Sequence, residues 1–355
     1  MSVSSNKLEL EFPEEIQALE FCPFVQGKDI LNVCGQKKFY LQQLKFSKEK
    51  TLGQGDLKDV LQVKDLMVVF HGRDVSHLTW SPNTNISHTP RCIEFAIATG
   101  DYKVILYQID MADNPKFTEI GHHTGMINET AFSPSDACLM ASVSDDYTCK
   151  IWDVSKAQEI SQIQLRSPGI SVNFHSDSPT QLMVAEEHGK IGFYDIRSHT
   201  AVTSLEVPGP LGSAHWAPSE HNLVAATAGH EVFFWNIAKS SVPMDSRMLL
   251  MQQAQTIRWE RSNSNLYGVV GRMKGGVFSI YHRAHQKMIR ELSFYQNRRD
   301  SFKRIYEDSY KHEGTNPKRT QLALFSSTLR NKQPIQSLSL LSKRIERFLR
   351  VTAYQ

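Results

Sequence analysis

The fold is decided by a stretch in the middle of the chain, residues 121–154, which reads GHHTGMINETAFSPSDACLMASVSDDYTCKIWDV. An aromatic residue, Phe132, is followed at once by a Ser-Pro turn, and a second aromatic residue, Trp152, lies 20 positions later. Short apolar runs separate the two, and runs of this length are typical of small buried strands bounded by turns. The stretch therefore predicts a unit of consecutive antiparallel strands.

The same unit recurs along the first 290 residues. The first aromatic anchor occurs six times, with separations of 59, 52, 42, 42 and 43 residues, at Phe21, Trp80, Phe132, Phe174, Trp216 and Trp259. A second aromatic anchor follows each first one, at Tyr40, Tyr107, Trp152, Tyr194, Trp235 and Tyr281. Four strand-like runs in a period of about 40–45 residues are typical of a propeller blade. We therefore predict an all-β propeller with six recognisable blades over residues 1–290.

Residues 121–154 closely resemble the WD40 repeat, with Gly-His at the start, an Asp in a turn and Ile-Trp-Asp at the end. The resemblance implies a buried hydrogen-bond network in which Asp146 bonds to a histidine, which we assign as His123. It also implies that a serine, which we assign as Ser144, links this histidine to the indole of Trp152. The other repeats lack the Gly-His pair, so we expect packing, more than polar networks, to hold their turns.

The last part of the chain departs from the repeat. Residues 285–355 carry fifteen Lys and Arg against six Asp and Glu, a net charge of +9, although the whole chain is only +3. No Trp follows Trp259, so a seventh blade is doubtful. We expect residues 291–334 to be polar, basic and irregular, and residues 335–350 to form an amphipathic helix. Residues 8–12 alternate as a strand that closes the ring would.

Two origins of this basic tail stay open. It is either a genuine replacement of the seventh blade or the product of a mis-joined gene reading. A basic tail also attracts nucleic acid electrostatically. No nucleic-acid-binding motif accompanies the charge, so we do not expect direct nucleic-acid binding.

The sequence offers no convincing catalytic constellation. It contains no nucleophile elbow, no phosphate-binding glycine loop and no His-Glu-x-x-His motif. The acidic residues at 145–146 and 186–187 fall at turns, where turn formation accounts for them. His122 and His123 are adjacent, and on a strand they point to opposite faces, which suits one metal ion poorly. We therefore expect no enzyme, no cofactor, no metal site and no small-molecule substrate. The apolar runs are too short for a membrane span.

Several runs outside the generic repeat resemble a narrower group of WD-repeat proteins. The most diagnostic is Ser167-Pro-Gly-Ile-Ser-Val172, because it is not part of the repeat itself. Further runs are Val68-Val-Phe-His-Gly72, Leu182-Met-Val-Ala-Glu186, Ile191-Gly-Phe-Tyr-Asp195 and Ser213-Ala-His-Trp216. Over about residues 10–290 the chain resembles the family of small WD-repeat nucleoporins that belong to the Y-shaped scaffold complex of the nuclear pore.

The resemblance implies a structural nucleoporin that docks on other subunits of the Y complex, chiefly a large subunit resembling nucleoporin 160. It implies a location at the nuclear envelope, in the nuclear pore complex, and at the kinetochore in mitosis. The implied roles are pore assembly and nucleocytoplasmic transport of protein and mRNA. From one sequence we assign no residue to the partner interface.

A second function from another class stays open. Tyr194-Asp195-Ile196-Arg197 resembles the end of the docking box found in WD-repeat substrate receptors of cullin-type ubiquitin ligases. The match is partial, because Glu187 stands at the upstream Asp position and Glu186 breaks the run of small residues. The variant Arg197→Ala distinguishes the two functions, because loss of a ligase adaptor from its pull-down would favour the ubiquitin ligase.

Overall fold

The computed structural model describes residues 7–46, 61–89, 91–110, 115–198, 200–249, 253–260, 263–271, 277–283, 288–293 and 320–325. All helices and strands within these ranges are β-strands, twenty-six in number. They form six four-stranded sheets and one two-stranded sheet. The prediction of an all-β propeller with six recognisable blades is therefore confirmed.

The first three blades use strands β2 to β13 in chain order. Blade one comprises β2 (Ile16–Phe21), β3 (Ile30–Gly35), β4 (Lys38–Phe46) and β5 (Leu61–Phe70). Blade two comprises β6 (Val75–Trp80), β7 (Cys92–Thr99), β8 (Lys103–Asp110) and β9 (Lys116–His122). Blade three comprises β10 (Ile127–Phe132), β11 (Leu139–Ser144), β12 (Thr148–Asp153) and β13 (Gln158–Gln164).

The next three blades repeat this antiparallel order with strands β14 to β25. Blade four comprises β14 (Gly169–Phe174), β15 (Gln181–Glu186), β16 (Lys190–Asp195) and β17 (Thr200–Glu206). Blade five comprises β18 (Leu211–Trp216), β19 (Leu223–Ala228), β20 (Glu231–Asn236) and β21 (Asp245–Met248). Blade six comprises β22 (Ala254–Glu260), β23 (Asn263–Gly271), β24 (Val277–His282) and β25 (Met288–Ser293).

The first aromatic anchors lie at the end of the innermost strand of each blade. All six are at most 7% exposed: Phe21, Trp80, Phe132, Phe174, Trp216 and Trp259. The five anchors from Trp80 to Trp259 contribute to apolar cores that join each described blade to the next, from blade one to blade six, whereas Phe21 belongs to the core that blade one forms with Phe12. In one of these cores Phe132 and Trp152 of blade three pack with Ala96 and Leu106 of blade two. A large aromatic side chain at a fixed position in every repeat thus supplies the area that stacks the blades.

A two-stranded sheet lies between blades six and one. Its strands β1 (Lys7–Phe12) and β26 (Thr320–Phe325) pair antiparallel, with Phe12 opposite Thr320. β26 also contacts β25 of blade six. Phe12 is 3% exposed and meets the ring of Tyr40 edge-on, at 5.4 Å between centroids. This contact covers a face of blade one, so the N-terminal strand predicted at residues 8–12 has a partner and a packing role.

β26 corrects one expectation about the tail. We expected residues 291–334 to be irregular, but Thr320–Phe325 forms a strand, and β25 extends to Ser293. The expectation averaged composition over a long polar segment, and this average concealed a short run, TQLALF, with four apolar residues. Residues 294–319 and the helix expected at residues 335–350 lie outside the described residues.

The six innermost strands surround a central channel. One cavity of about 460 Å³ opens where these strands end, beside Phe24, Pro134 and Pro218. A second cavity opens at the other end, where the strands begin, beside Asn128 and Thr256. His77, Glu129 and Arg258 line both cavities and therefore form the partition between them.

The partition is an ion pair that spans the ring from blade three to blade six. Arg258 Nη2 lies 2.6 Å from Glu129 Oε1, and the Glu129 and Arg258 side chains are 9% and 19% exposed. The other oxygen of Glu129 accepts a hydrogen bond of 3.0 Å from the Val172 N–H of blade four. The two oxygens of Glu129 thus bond to two different blades, and the carboxylate links blades three, four and six. If one partner is removed, a charge stays buried without its counter-ion.

We predict that Glu129→Gln lowers the free energy of unfolding by about 3 kcal/mol, because Arg258, whose side chain is only 19% exposed, then lacks a counter-ion. The matched control is Glu119→Gln, since Glu119 pairs with Lys103 at 2.8 Å on the surface, where the two side chains are 46% and 35% exposed. That change should cost less than about 1 kcal/mol. Chemical denaturation of both variants checks the difference, and equal losses would show that the ion pair does not brace the ring.

Candidate functional site

Blade three contains a continuous chain of polar side chains inside the apolar core. The indole Nε1–H of Trp152 donates to Ser142 Oγ at 2.8 Å. Ser142 Oγ lies 2.7 Å from His123 Nε2, and His123 Nδ1 lies 2.9 Å from Asp146 Oδ2. An ionised carboxylate only accepts, so His123 Nδ1 carries the proton and Nε2 accepts from the serine. The buried indole N–H, the serine hydroxyl and both imidazole nitrogens of this network therefore all have hydrogen-bond partners, and the network ties the turn between β11 and β12 to the start of blade three.

The structure brings His123, Asp146 and Trp152 together but does not place Ser144 between them. Our assignment of Ser144 as the bridge was wrong, and the bridging residue is Ser142. The strand register explains this difference, because Trp152 pairs with Met140, so its diagonal neighbour on the same face is two residues further along. Ser144 is buried as well, but its Oγ accepts only a 3.2 Å bond from the Asp146 N–H inside the turn.

The two ionisable groups of this network are held in fixed charge states. Burial lowers the pKa of His123, and this effect outweighs the nearby Asp146 carboxylate, which raises the pKa. For Asp146, burial raises the pKa, but hydrogen bonds from the Thr148 hydroxyl and the Thr124 N–H, together with His123, lower it to about 2. A neutral histidine beside an ionised aspartate suits a permanent structural bond and gives no group poised to exchange protons near neutral pH.

The Gly-His pair has a steric explanation. A Cβ added to Gly121 would lie 2.2 Å from Cζ3 of the Trp152 ring, well inside contact distance. The glycine therefore lets the chain pass directly over the indole. Of the adjacent histidines, His123 is 3% exposed, whereas His122 is exposed to solvent.

Blade five seats its tryptophan without polar partners. Trp235 is fully buried, and its Nε1 has no acceptor among the described residues. In the register of this blade Trp235 pairs with Val224, so Ala226 occupies the place that Ser142 has in blade three. The indole instead packs among Ala226 and Val207. For this blade the expectation that packing replaces the polar network is in agreement with the contacts.

Blade four departs from that expectation. Glu186 is 1% exposed, and its Oε2 accepts bonds of 2.7 Å and 3.0 Å from the Arg166 and Ser167 N–H groups. Lys190 Nζ lies 3.3 Å from the other oxygen. A buried carboxylate thus fixes the diagnostic Ser-Pro-Gly segment between blades three and four. We had read Glu186 as a turn residue, and only its position at the end of the apolar run of β15 signals burial.

The described residues contain no group of three or more His, Cys, Asp or Glu side chains arranged to hold a metal ion. In the same part of the chain there is no helix long and apolar enough to cross a membrane. The buried acids instead have structural neighbours, as Glu94 shows by accepting bonds from Ser81, Asn83 and Gln108. The surfaces that remain as candidate sites in the described residues are the two faces of the ring and its partitioned channel.

We predict that Ser142→Ala lowers the free energy of unfolding by about 2–4 kcal/mol, because two buried groups, on His123 and Trp152, lose their partner. Ser144→Ala is the matched control, an equally buried serine on the same strand, and should cost only about 1 kcal/mol for one bond. Urea denaturation of the two variants checks the order. The reverse order would restore Ser144 as the bridge.

We predict that stability falls as the pH is lowered from about 7.5 to 5. Since folding lowers the pKa of His123, the unfolded chain binds the extra proton first, so the unfolding free energy decreases with acidification, by at most about 1.4 kcal/mol per pH unit for one site. His123→Gln, which cannot titrate, should show a shallower slope in the same denaturation series. Asp146 adds its own loss only below about pH 4, toward its pKa of about 2. Equal slopes for the two proteins would contradict the assignment.

Comparison with known proteins places this ring in a family. A family model described as "WD domain, G-beta repeat" matches residues 114–153. The chain is 33% identical to mouse Nucleoporin Nup37 over 280 residues, which is 77% of this chain and 84% of the mouse protein. It is 34% identical to human Nucleoporin Nup37, also over 280 residues, which is 77% of this chain and 84% of the human protein. The fruit-fly Nucleoporin Nup37 is 31% identical over 196 residues, 55% of this chain and 61% of that protein.

The resemblance inferred from the Ser-Pro-Gly run and its companions is thus confirmed. The chain shares one third of its residues with two relatives over most of their length, and it forms a ring of blades. Identity at this level indicates common family membership and not only a shared fold. The chain belongs to the Nup37 family of nucleoporins.

Proposed function

We propose that this nucleoporin is a structural docking subunit of the Y-shaped scaffold complex of the nuclear pore. The observation that carries the proposal is the identity of 33–34% with Nucleoporin Nup37 over 84% of the relatives' length. The family relationship gives a nucleoporin at the nuclear pore. The finer role comes from the rigid ring, because a propeller without reactive groups presents loops and edges in fixed positions to a partner.

The partner that fits this role best is a large scaffold subunit resembling nucleoporin 160. Through it the chain would support pore assembly and the transport of protein and mRNA, and would accompany the scaffold to kinetochores in mitosis. A propeller of this size offers a broad, preformed surface, and rigid surfaces lose little conformational entropy on binding. The role needs no cofactor and no small-molecule substrate.

A non-enzymatic role is supported by how the buried polar groups are used. His123, Asp146, Glu129 and Glu186 each form hydrogen bonds or ion pairs that hold strands and turns together. The channel, which is where a propeller has space for a ligand, is partitioned by an ion pair whose members already bind each other. Polar groups that are buried and bonded to one another in this way favour a structural role.

The ubiquitin-ligase alternative rests on Tyr194, Asp195, Ile196 and Arg197. Tyr194 is 7% exposed and belongs to the core between blades three and four. Asp195 accepts a 2.9 Å bond from the Arg197 N–H, which is ordinary turn chemistry at the end of a strand. Local structure therefore accounts for the resemblance, and we keep the nucleoporin as the proposed function.

We predict that a tagged chain, expressed at its natural level, concentrates at the nuclear rim and recovers the large scaffold subunit in near-equal amount. The reason is that a subunit of a stable complex dissociates slowly on the time scale of purification. Quantitative mass spectrometry of the purified material checks this result. Arg197→Ala is the control and should leave nucleoporin recovery unchanged. Recovery of a ligase adaptor that is lost in Arg197→Ala, without scaffold nucleoporins, would overturn the proposal.

A further inference from the structure

Two neighbouring blades carry a tyrosine where the backbone favours glycine. The turn between the second and third strands of blades two and three ends in Tyr102 and Tyr147, with φ of 65° and 63°. The same turn position in blade four is Gly189, with φ of 94°. A positive φ is unusual for a bulky side chain and strains the backbone. Tyr102 and Tyr147 nonetheless adopt this conformation, and their side chains are 39% and 48% exposed, respectively.

These tyrosines belong to one continuous surface. The loop at residues 123–126 runs between them, since the His123 N–H donates to the Tyr102 carbonyl and the Asp145 N–H donates to the Met126 carbonyl. Met126 is itself 41% exposed. The polar network of blade three holds this loop, because Asp146 accepts a 2.9 Å bond from the Thr124 N–H. The surface is therefore preorganised, which lowers the entropic cost of binding.

Two exposed carboxylates extend this surface toward blade four. Asp145 receives only neutral N–H donors, such as the Asn128 amide at 2.7 Å. No ion pair among the described residues involves Asp145 or Glu187. Glu187 is anchored through its backbone to the Pro168 carbonyl. We call this surface the Tyr face and define it by Tyr102, Met126, Tyr147, Asp145 and Glu187.

Three other exposed apolar side chains are separated from one another. Phe117, Ile160 and Val202 are 65%, 52% and 61% exposed, and each lies on the outermost strand of a different blade. Apolar residues scattered singly are normal on a protein surface. Tyrosine and methionine grouped beside unpaired carboxylates are instead typical of an interface core with a charged rim.

We propose that the large scaffold subunit docks on the Tyr face, through a surface that carries Arg or Lys among apolar side chains. This inference rests on the proposed function and names the surface that it uses. Cationic side chains are favoured for two reasons. They form ion pairs with Asp145 and Glu187. They also make cation–π contacts with the faces of Tyr102 and Tyr147. The apolar part of the partner covers Met126 and the tyrosine rings.

The decisive variant is Tyr102→Gly combined with Tyr147→Gly. Glycine adopts a positive φ without strain, so the thermal midpoint of this variant should lie no more than about 3 °C below that of the wild type. Its dissociation constant for the purified large subunit should rise at least about tenfold, since two aromatic contacts are lost. The matched control is the triple variant Phe117→Ala, Ile160→Ala and Val202→Ala, whose dissociation constant should stay within about twofold.

A second pair of changes tests the charge. Asp145→Asn with Glu187→Gln preserves shape but removes both charges, so binding should weaken and become less sensitive to salt than in the wild type. If the double glycine variant keeps its affinity, or if only the triple alanine variant loses affinity, the Tyr face is not the docking surface. The proposed scaffold role would stand in either case. No binding by the wild-type chain would overturn both. A dimer of this chain that the glycine changes dissolve would assign the face to a second copy and also overturn the proposal.

Discussion

Each blade of this protein is a four-stranded sheet with two faces to bury, and each face needs a neighbouring element to cover it. A single blade cannot bury its apolar faces alone, so its stability depends on the stacking of the ring. The aromatic anchors meet that condition at five junctions between consecutive blades. At the remaining position Phe12 of the N-terminal strand covers blade one. The strand is short, but it protects a face that would otherwise meet solvent.

The blades use different chemistry to reach the same geometry. Blade three holds its tryptophan through Ser142, His123 and Asp146, whereas blade five surrounds Trp235 with small apolar side chains. Blade four uses the single carboxylate of Glu186 to hold the segment that enters it. A satisfied buried network fixes a unique turn geometry, and an apolar setting tolerates more variation. The Tyr face is centred on blade three, where Asp146 bonds the turn to the preceding loop.

The sequence predicted the features that depend on local pattern. The spacing of the aromatic anchors was sufficient to predict the six blades. The positions of His123, Asp146 and Trp152 within one repeat were sufficient to place these residues in one hydrogen-bond network. The prediction failed for Ser144 because the bridge depends on the register between β11 and β12, which two serines on one face leave ambiguous. Glu129 was missed because its partner, Arg258, is 129 residues away and meets it only across the central channel of the folded propeller. β26 was missed because its strand forms by pairing with the opposite end of the chain.

We conclude that the propeller unfolds as one cooperative unit and that the N-terminal strand contributes to its stability. Native-state hydrogen exchange of the full chain, followed by mass spectrometry, tests this claim most directly. Amides of the innermost strands β2, β6, β10, β14, β18 and β22 should exchange slowest and with one common opening free energy, and β1 should be protected with them. Exchange of β1 at the rate of an unfolded peptide, with blades one and six opening independently of the middle blades, would contradict it.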